Sequence, residues 1–345
     1  MLRRALTVAA ALVALPLLAG TVSAADVKVI AILTPEKGTD FGWNQQAVDG
    51  AKAVGQKYGI KVVTAEGLGY GDIRPTLREL AGDGANLMIA HASGWNKMAP
   101  EIAEETKVPV AITDDPGARK PGLVTDYTMS GRDGAYRAGI LAAKMTRTGK
   151  LGIVTSGEPP AWNEQSAAFA AGAKSVKPDI KLIYSVIGPA AYGDAAGAKR
   201  VTQTVIAAGA DIIFGQGDGA SFGMIEAVET NKATDGGKVW FIDVIGDKTA
   251  IDKGNLLSSV VWDLVPVYSA MVEDLKADKF GTHGYSIQLN DDSVHLLHTK
   301  HIPDDVWAQL QTVRQQIIDG SVKVEPVWDA PKVRALMTSV TDAPK

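Results

Sequence analysis

Short apolar runs rich in Val, Ile and Leu recur along nearly the whole chain, with amphipathic helical stretches between most of them. This alternation restricts the fold more than any other feature: a run of several apolar residues without polar alternation must be covered on both faces, and parallel strands joined through helices provide that cover. A first series comprises residues 27–33, 60–63, 87–90, 108–112 and 123–124, with Ala47, Ala51 and Val54 marking one face of a helix. A second series follows at 151–154, 180–186, 211–214 and 239–242, with helices expected over about 163–176 and 195–208. The predicted architecture is α/β, two Rossmann-like lobes in tandem. Beyond them, 256–261 reads as another strand, 266–279 as a helix and 306–318 as a last helix, and these must return to lobes already built. The chain should therefore cross between lobes several times and carry a multi-stranded hinge. The expected division gives residues 25–125 plus about 247–280 to the first lobe and 126–246 plus about 281–330 to the second. Bending is expected near Thr125-Asp126, Ile245-Gly246 and Val261-Trp262.

At the amino terminus, Leu2-Arg3-Arg4 precedes an apolar stretch over 5–20 that ends in Val22-Ser23-Ala24. A positive start, an apolar region short for a bilayer and a Val-x-Ala pattern describe a secretory signal over 1–24, with cleavage near Ala24. The sequence has no cysteine, which removes disulfides, thiolate chemistry and a lipid-bearing cysteine anchor. A free periplasmic protein is the resulting expectation. With 345 residues, 46% of them hydrophobic, the chain is long enough for two cores. Its net charge of −4 and lack of a basic tract give no footprint for a phosphate backbone, so nucleic acid is not an expected partner.

Ligands of doubly wound sheets lie beyond the carboxyl ends of the strands, so the loops after the predicted strands carry the candidate residues. They hold Asp40, Phe41, Trp43 and Asn44 after the first strand, Trp95 after the third, and Asp114 after the fourth. In the second lobe they hold Trp162, Asn163, Tyr192 and Asp218. Aromatic walls with a few amides and carboxylates suit a flat, neutral, hydrogen-bonding ligand.

Three motifs point elsewhere and are weighed against packing. Gly219-Ala220-Ser221-Phe222-Gly223 matches a nucleophile elbow, and His283, His295, His298 and His301 lie downstream. Gly-rich strand-to-helix turns are routine in this architecture, so packing is preferred, with an exported serine hydrolase as the alternative. Gly215-x-Gly217-x-x-Ala220 resembles a dinucleotide fingerprint but follows the third strand of its lobe instead of the first, and no cofactor is expected. His295, His298 and His301 could suggest a metal, but a strand over 294–297 would point the first two rings to opposite faces, so no metal site is assigned.

The segment Gly38-Thr39-Asp40-Phe41-Gly42-Trp43-Asn44-Gln45 followed by Asp49-Gly50 resembles the Asp-x-Ser-Phe-Asn-Gln…Gly pattern of the basic membrane protein family, the PnrA-like purine nucleoside-binding proteins. Further similarities are Phe169-Ala170-Ala171-Gly172-Ala173-Lys174, Tyr192-Gly193-Asp194 with Gly197-Ala198-Lys199, 208–214, and Ile317-Ile318-Asp319-Gly320. The resemblance implies a type I periplasmic binding protein fold with a three-stranded hinge, which hands its ligand to an ABC permease driven by a separate ATPase; a monomer is expected. It also implies that Trp43 replaces a stacking Phe, that Asn44 and Asp114 hydrogen-bond the purine, and that Tyr192 is the second stacking aromatic.

The ribose-binding group of the family departs here. Thr34 stands where the family has an Asp, Ile245 stands where it has another, with Asp243 and Asp247 nearby, and Trp262 stands where it has a Lys. Sugar hydroxyls lose their partners. The expected ligand is a free purine-like nucleobase or other small heteroaromatic, with Trp262 filling the ribose volume. A nucleoside or sugar ligand in the same fold, or ligand presentation to a sensory receptor, stand as alternatives.

Overall fold

The computed structural model describes residues 26–341; the expected signal segment lies outside them. The first lobe is built on β1 (Val29–Leu33), α1 (Trp43–Tyr58), β2 (Lys61–Ala65), α2 (Arg74–Gly82), β3 (Leu87–Ala90), α3 (Met98–Thr106), β4 (Val110–Thr113) and β5 (Val124–Thr128). The second comprises α4 (Arg132–Met145), β6 (Lys150–Thr155), α5 (Pro160–Val176), β7 (Lys181–Val186), α6 (Ala195–Ala207), β8 (Ile212–Gln216), α7 (Ala220–Thr230), β9 (Trp240–Ile245) and β10 (Leu256–Trp262). There follow α8 (Val265–Lys276), β11 (Tyr285–Ser286), β12 (Val294–Leu296), α9 (Asp304–Ile318), α10 (Ala330–Ala335) and β13 (Ser339–Val340).

The sheets run β11-β5-β4-β3-β1-β2 and β12-β10-β9-β8-β6-β7-β13. Within each lies the same doubly wound order, so each lobe has a switch point, between β1 and β3 in one and between β6 and β8 in the other. Every pairing is parallel except β10 with β12.

The lobe boundaries differ from expectation. β10 is buried along its whole length and needs a neighbour on each side, which it finds in β9 and β12 of the second sheet. Residues 247–262 therefore belong to the second lobe, and the chain does not cross at Ile245-Gly246. Conversely, β11 joins β5 of the first sheet through Tyr127 and Thr128. The crossings lie at 129–131, 263–264 and 287–293, and they are tied together where Asp263 N donates to Ser293 O (2.8 Å) and Ile287 N to Thr128 O (3.3 Å). Residues 331–341 also belong to the second lobe, through β13 on β7.

One apolar cluster fills the α2/α3 side of the first sheet and another the α6/α7 side of the second. A third runs from Val54 and Tyr268 through Trp262 to Phe169 and Phe214, continuous across the hinge. In it α4 and α5 cross at backbone contact. A Cβ on Gly139 would lie 2.0 Å from the Phe169 carbonyl oxygen, and one on Gly172 would lie 1.9 Å from that of Tyr136.

Candidate functional site

The loop after β1 is organised by Asp40. Its Oδ1 accepts from the backbone N of Gly42 (2.9 Å) and Gln45 (3.0 Å), and its Oδ2 from Asn44 N (3.1 Å) and Nδ2 (2.7 Å). Asn44 Oδ1 in turn accepts from Glu36 N at 3.3 Å. Both residues thus build the start of α1, where a carboxylate satisfies N–H groups that the helix leaves open. What they present to the cleft is Trp43, the first residue of α1.

Trp43 is wired into the first lobe through His91, the residue after β3. Its Nε1 donates to His91 O (3.2 Å), and the two rings lie 4.3 Å apart. Because the Trp43 carbonyl can only accept, His91 Nε2 carries the proton donated to it (3.2 Å), and Nδ1 accepts from the Tyr127 hydroxyl (2.6 Å). Burial pushes the His91 pKa down to about 3, so this ring is neutral at physiological pH. The sequence reading passed over His91.

From the other lobe, Trp262 meets Trp43 edge-on with ring centroids 6.3 Å apart. It is 1% exposed, and its Nε1 has no hydrogen-bond partner among the described residues. Gln165 Oε1 on α5 is likewise buried and unpartnered. A Cβ at Gly131, in the first crossing, would lie 2.6 Å from that Nε1 and 2.5 Å from that Oε1, so β10, α5 and the hinge converge here. Trp162, in the first turn of α5, packs edge-to-face with Tyr192 at 5.4 Å. The four aromatics therefore form two pairs, Trp43 with Trp262 and Trp162 with Tyr192.

Asp114 follows β4 with φ at 54° and is partly exposed, with its carboxyl set against Thr128. Burial raises its pKa to about 6 against a hydrogen bond from Thr128, with Asp126 and Glu164 adding to the rise. Glu164 is a buried carboxylate on α5 that the sequence reading missed; its Oε2 accepts from Ser130 Oγ at 2.8 Å.

The lobes touch opposite the loop after β1. Trp43 N donates to Asp218 Oδ1 (3.3 Å), the Phe41 ring meets Phe222 at 6.2 Å, and Gly246 lies so close to the Phe41 carbonyl oxygen that a Cβ there would be 2.0 Å away. Ile245, beside that contact, adopts φ 71°, a strained conformation for a β-branched residue. Two expected members of the site lie elsewhere. Trp95 is fully buried in the α2/α3 core, because the single helical turn after β3 aims it inward. Asp247 is exposed and caps Thr249 N (2.8 Å). The buried acid near it is Asp243, paired with Lys248 at 3.0 Å. Ser221 of the elbow-like motif also turns inward, its Oγ 2.7 Å from Gly217 O and 3.1 Å from Asp243 Oδ1. Of the downstream histidines, His298 stacks on Trp307 and His301 packs against Trp240; no group of three metal-binding side chains occurs among the described residues.

Burial, followed by Asp40, pushes the Asp218 pKa up from 3.8 to about 7 despite the Trp43 N–H and Lys248. A carboxyl with a raised folded-state pKa contributes stability that is complete below its unfolded value and lost as pH climbs through the folded one. The thermal midpoint should therefore fall more steeply between pH 4.5 and 8 in the wild-type protein than in Asp218→Asn, as followed by circular dichroism. Parallel curves would show that this carboxyl does not titrate as its burial requires.

Two doubly wound lobes joined by three crossings, whose strand-end loops meet where Trp43 N bonds Asp218 and the Trp43 ring packs on Trp262, have the frame of a solute-binding clamp. The profile of the family described as "ABC transporter substrate-binding protein PnrA-like" matches residues 27–326. The chain belongs to this family. Among its relatives, "ABC transporter nucleoside-binding protein BmpA" of Lactococcus lactis is 25% identical over 315 residues, covering 85% of this chain and 88% of that protein. "Basic membrane protein A" of Borreliella afzelii is 25% identical over 291 residues, covering 83% and 87%. A solute-binding protein of an ABC transporter system from Conexibacter woesei superposes with a TM-score of 0.73 at 19% identity, covering 87% of this chain and 99% of that one. The fold is the type I periplasmic binding fold, and the chain is a substrate-binding protein of an ABC transporter, in a family of extracellular or periplasmic binding proteins and not of enzymes. No helix among the described residues is long and apolar enough to cross a membrane.

Proposed function

We propose that this protein captures a nucleobase-like heteroaromatic ring between its lobes in the periplasm, after removal of its signal segment, and delivers it as a monomer to the permease. The observation that carries this reading is Trp262, whose indole packs against Trp43 and is almost completely buried. A ribose attached to a base beside Trp43 would compete for that volume. Trp262 Nε1 as a donor and Gln165 Oε1 as an acceptor, both buried without partners, present the alternating polarity that the edge of a base answers. Such groups strongly favour a ligand that satisfies them. Ligand bridging both lobes would select the closed state, and the 129–131, 263–264 and 287–293 crossings supply the hinge. The relative named as nucleoside-binding supports the ligand class and also defines the competing reading.

Calorimetry with adenine, guanine, adenosine and D-ribose separates the two. Adenine or guanine should bind and adenosine should bind more weakly, while Trp262→Ala should reverse the order by opening the ribose volume. Trp43→Ala and Asp114→Ala should each weaken base binding by about tenfold or more, the scale of a buried anchor. Adenosine binding more tightly than adenine to the unaltered protein would overturn the assignment.

A further inference from the structure

The chain runs on past the family-matched region, which ends at residue 326. After α9 it passes through an irregular segment, forms α10 and then adds β13 to β7. This stretch is firmly held. Thr338 N donates to Leu182 O (2.9 Å), Thr341 N to Tyr184 O (2.8 Å), Arg334 makes two bonds to the Glu158 carboxylate (2.7 and 3.0 Å), and Val333 is fully buried. Its route brings Trp328 to the first turn of α5, where Asn163 Nδ2 donates to the Trp328 carbonyl (2.7 Å) and Trp328 Nε1 donates to Glu164 Oε1 (2.6 Å). Glu164 is the same carboxylate that accepts from Ser130 in the first crossing, and Trp162 precedes it by two positions. Despite both of its polar ends being fixed, Trp328 is 59% exposed. The indole is thus held at its Nε1 while its ring face stays open to a neighbour. Next to it, Asn163 Oδ1 is buried without a partner.

We propose that Trp328 is a specificity-determining wall of the ligand site, delivered by the carboxyl-terminal strap that follows the family-matched residues and latched to the hinge through Glu164. The inference rests on the proposed ligand, which Asp114 helps to hold, extending toward the first turn of α5. Planar or apolar groups on the outward side of the ligand would contact the indole face, and the Trp328–Glu164–Ser130 chain would hold the strap in register with the first crossing.

The test titrates adenine, adenosine and D-ribose into full-length protein carrying Trp328→Ala or Trp328→Phe, with hydrogen exchange at residues 129–132 recorded without ligand. Whichever probe binds the wild-type protein should bind W328A at least about tenfold more weakly, with W328F between the two, because the ring is kept and the latch is lost. Exchange at 129–132 should quicken in both variants. Affinity of W328A within twofold of wild type, or unaltered exchange, overturns the proposal. Should adenosine or D-ribose be the bound probe, the nucleobase reading fails while the affinity ratio still judges the strap; should none bind, the exchange result alone decides it.

Discussion

Gly172→Leu should yield no cooperatively folded protein at room temperature. The residue lies where α5 meets α4, and even a Cβ there would stand 1.9 Å from the Tyr136 carbonyl oxygen; Gly139 makes the reciprocal approach to Phe169. The obstacle is backbone on both sides, so no rotamer change relieves it and the two helices must separate. Their facing residues Ala135, Ala138, Ala142, Ala168 and Phe169 are all buried in the cluster that spans the hinge, and separation would open that cluster. Ordinary overpacking costs about 1–3 kcal/mol; displacing a whole helix should exceed it and remove much of a net stability of about 5–15 kcal/mol. Urea denaturation followed by circular dichroism would show this as an early, broad transition. A midpoint close to that of the wild type would mean that the helices can part freely and that their close crossing is incidental.

Lys248→Met should cost about 3–5 kcal/mol, the range for stripping one partner from a buried ion pair. Lys248 and Asp243 are almost completely buried, 3.0 Å apart, and the ammonium also donates to Val244 O at 2.7 Å. Burial raises the Asp243 pKa while Lys248 holds it down. Without the lysine, the carboxyl would keep its proton to higher pH in the folded state. The loss should therefore be mild in acid and deepen as pH rises past the ordinary carboxylate range. Combining it with Asp243→Leu should recover most of the stability, since the pair then gives way to apolar groups. Equal destabilisation by the single and double variants, measured by chemical denaturation at pH 5 and 8, would contradict this account.

The tandem α/β plan was legible because parallel strands covered on both faces are continuous apolar runs, and each such run became a strand within a few residues. Strand order was not legible in the same way. Residues 256–262 look alike whether they join one sheet or the other; only the pairing with β9 and β12 decides, and that depends on contacts remote in sequence. In the site, Trp43 packs against Trp262 and Trp162 against Tyr192, two separate pairs instead of the one Trp43–Tyr192 sandwich expected. Asp40 and Asn44 were recognised as important, but the loop itself consumes their hydrogen bonds. His91 had a signal, since it immediately follows β3. Glu164 had a subtler one: Asn163, Glu164, Gln165 and Ser166 form a polar run within a stretch of α5 that is buried at every position from 162 to 170, and a helix hides four polar residues in succession only where something else must meet them.

The first lobe is discontinuous: its edge strand β11 and the helix α8, which packs on α1, arrive only after the body of the second lobe has been made. Until Tyr285 emerges, β5 ends the sheet with an unpaired margin. At a synthesis pace of roughly 5–20 residues per second, the amino-terminal half waits about 8–30 s for its missing parts. A chain unable to shut its first half early stays loose while it is being made. That delay suits the export proposed above, which needs a chain not yet in its final shape.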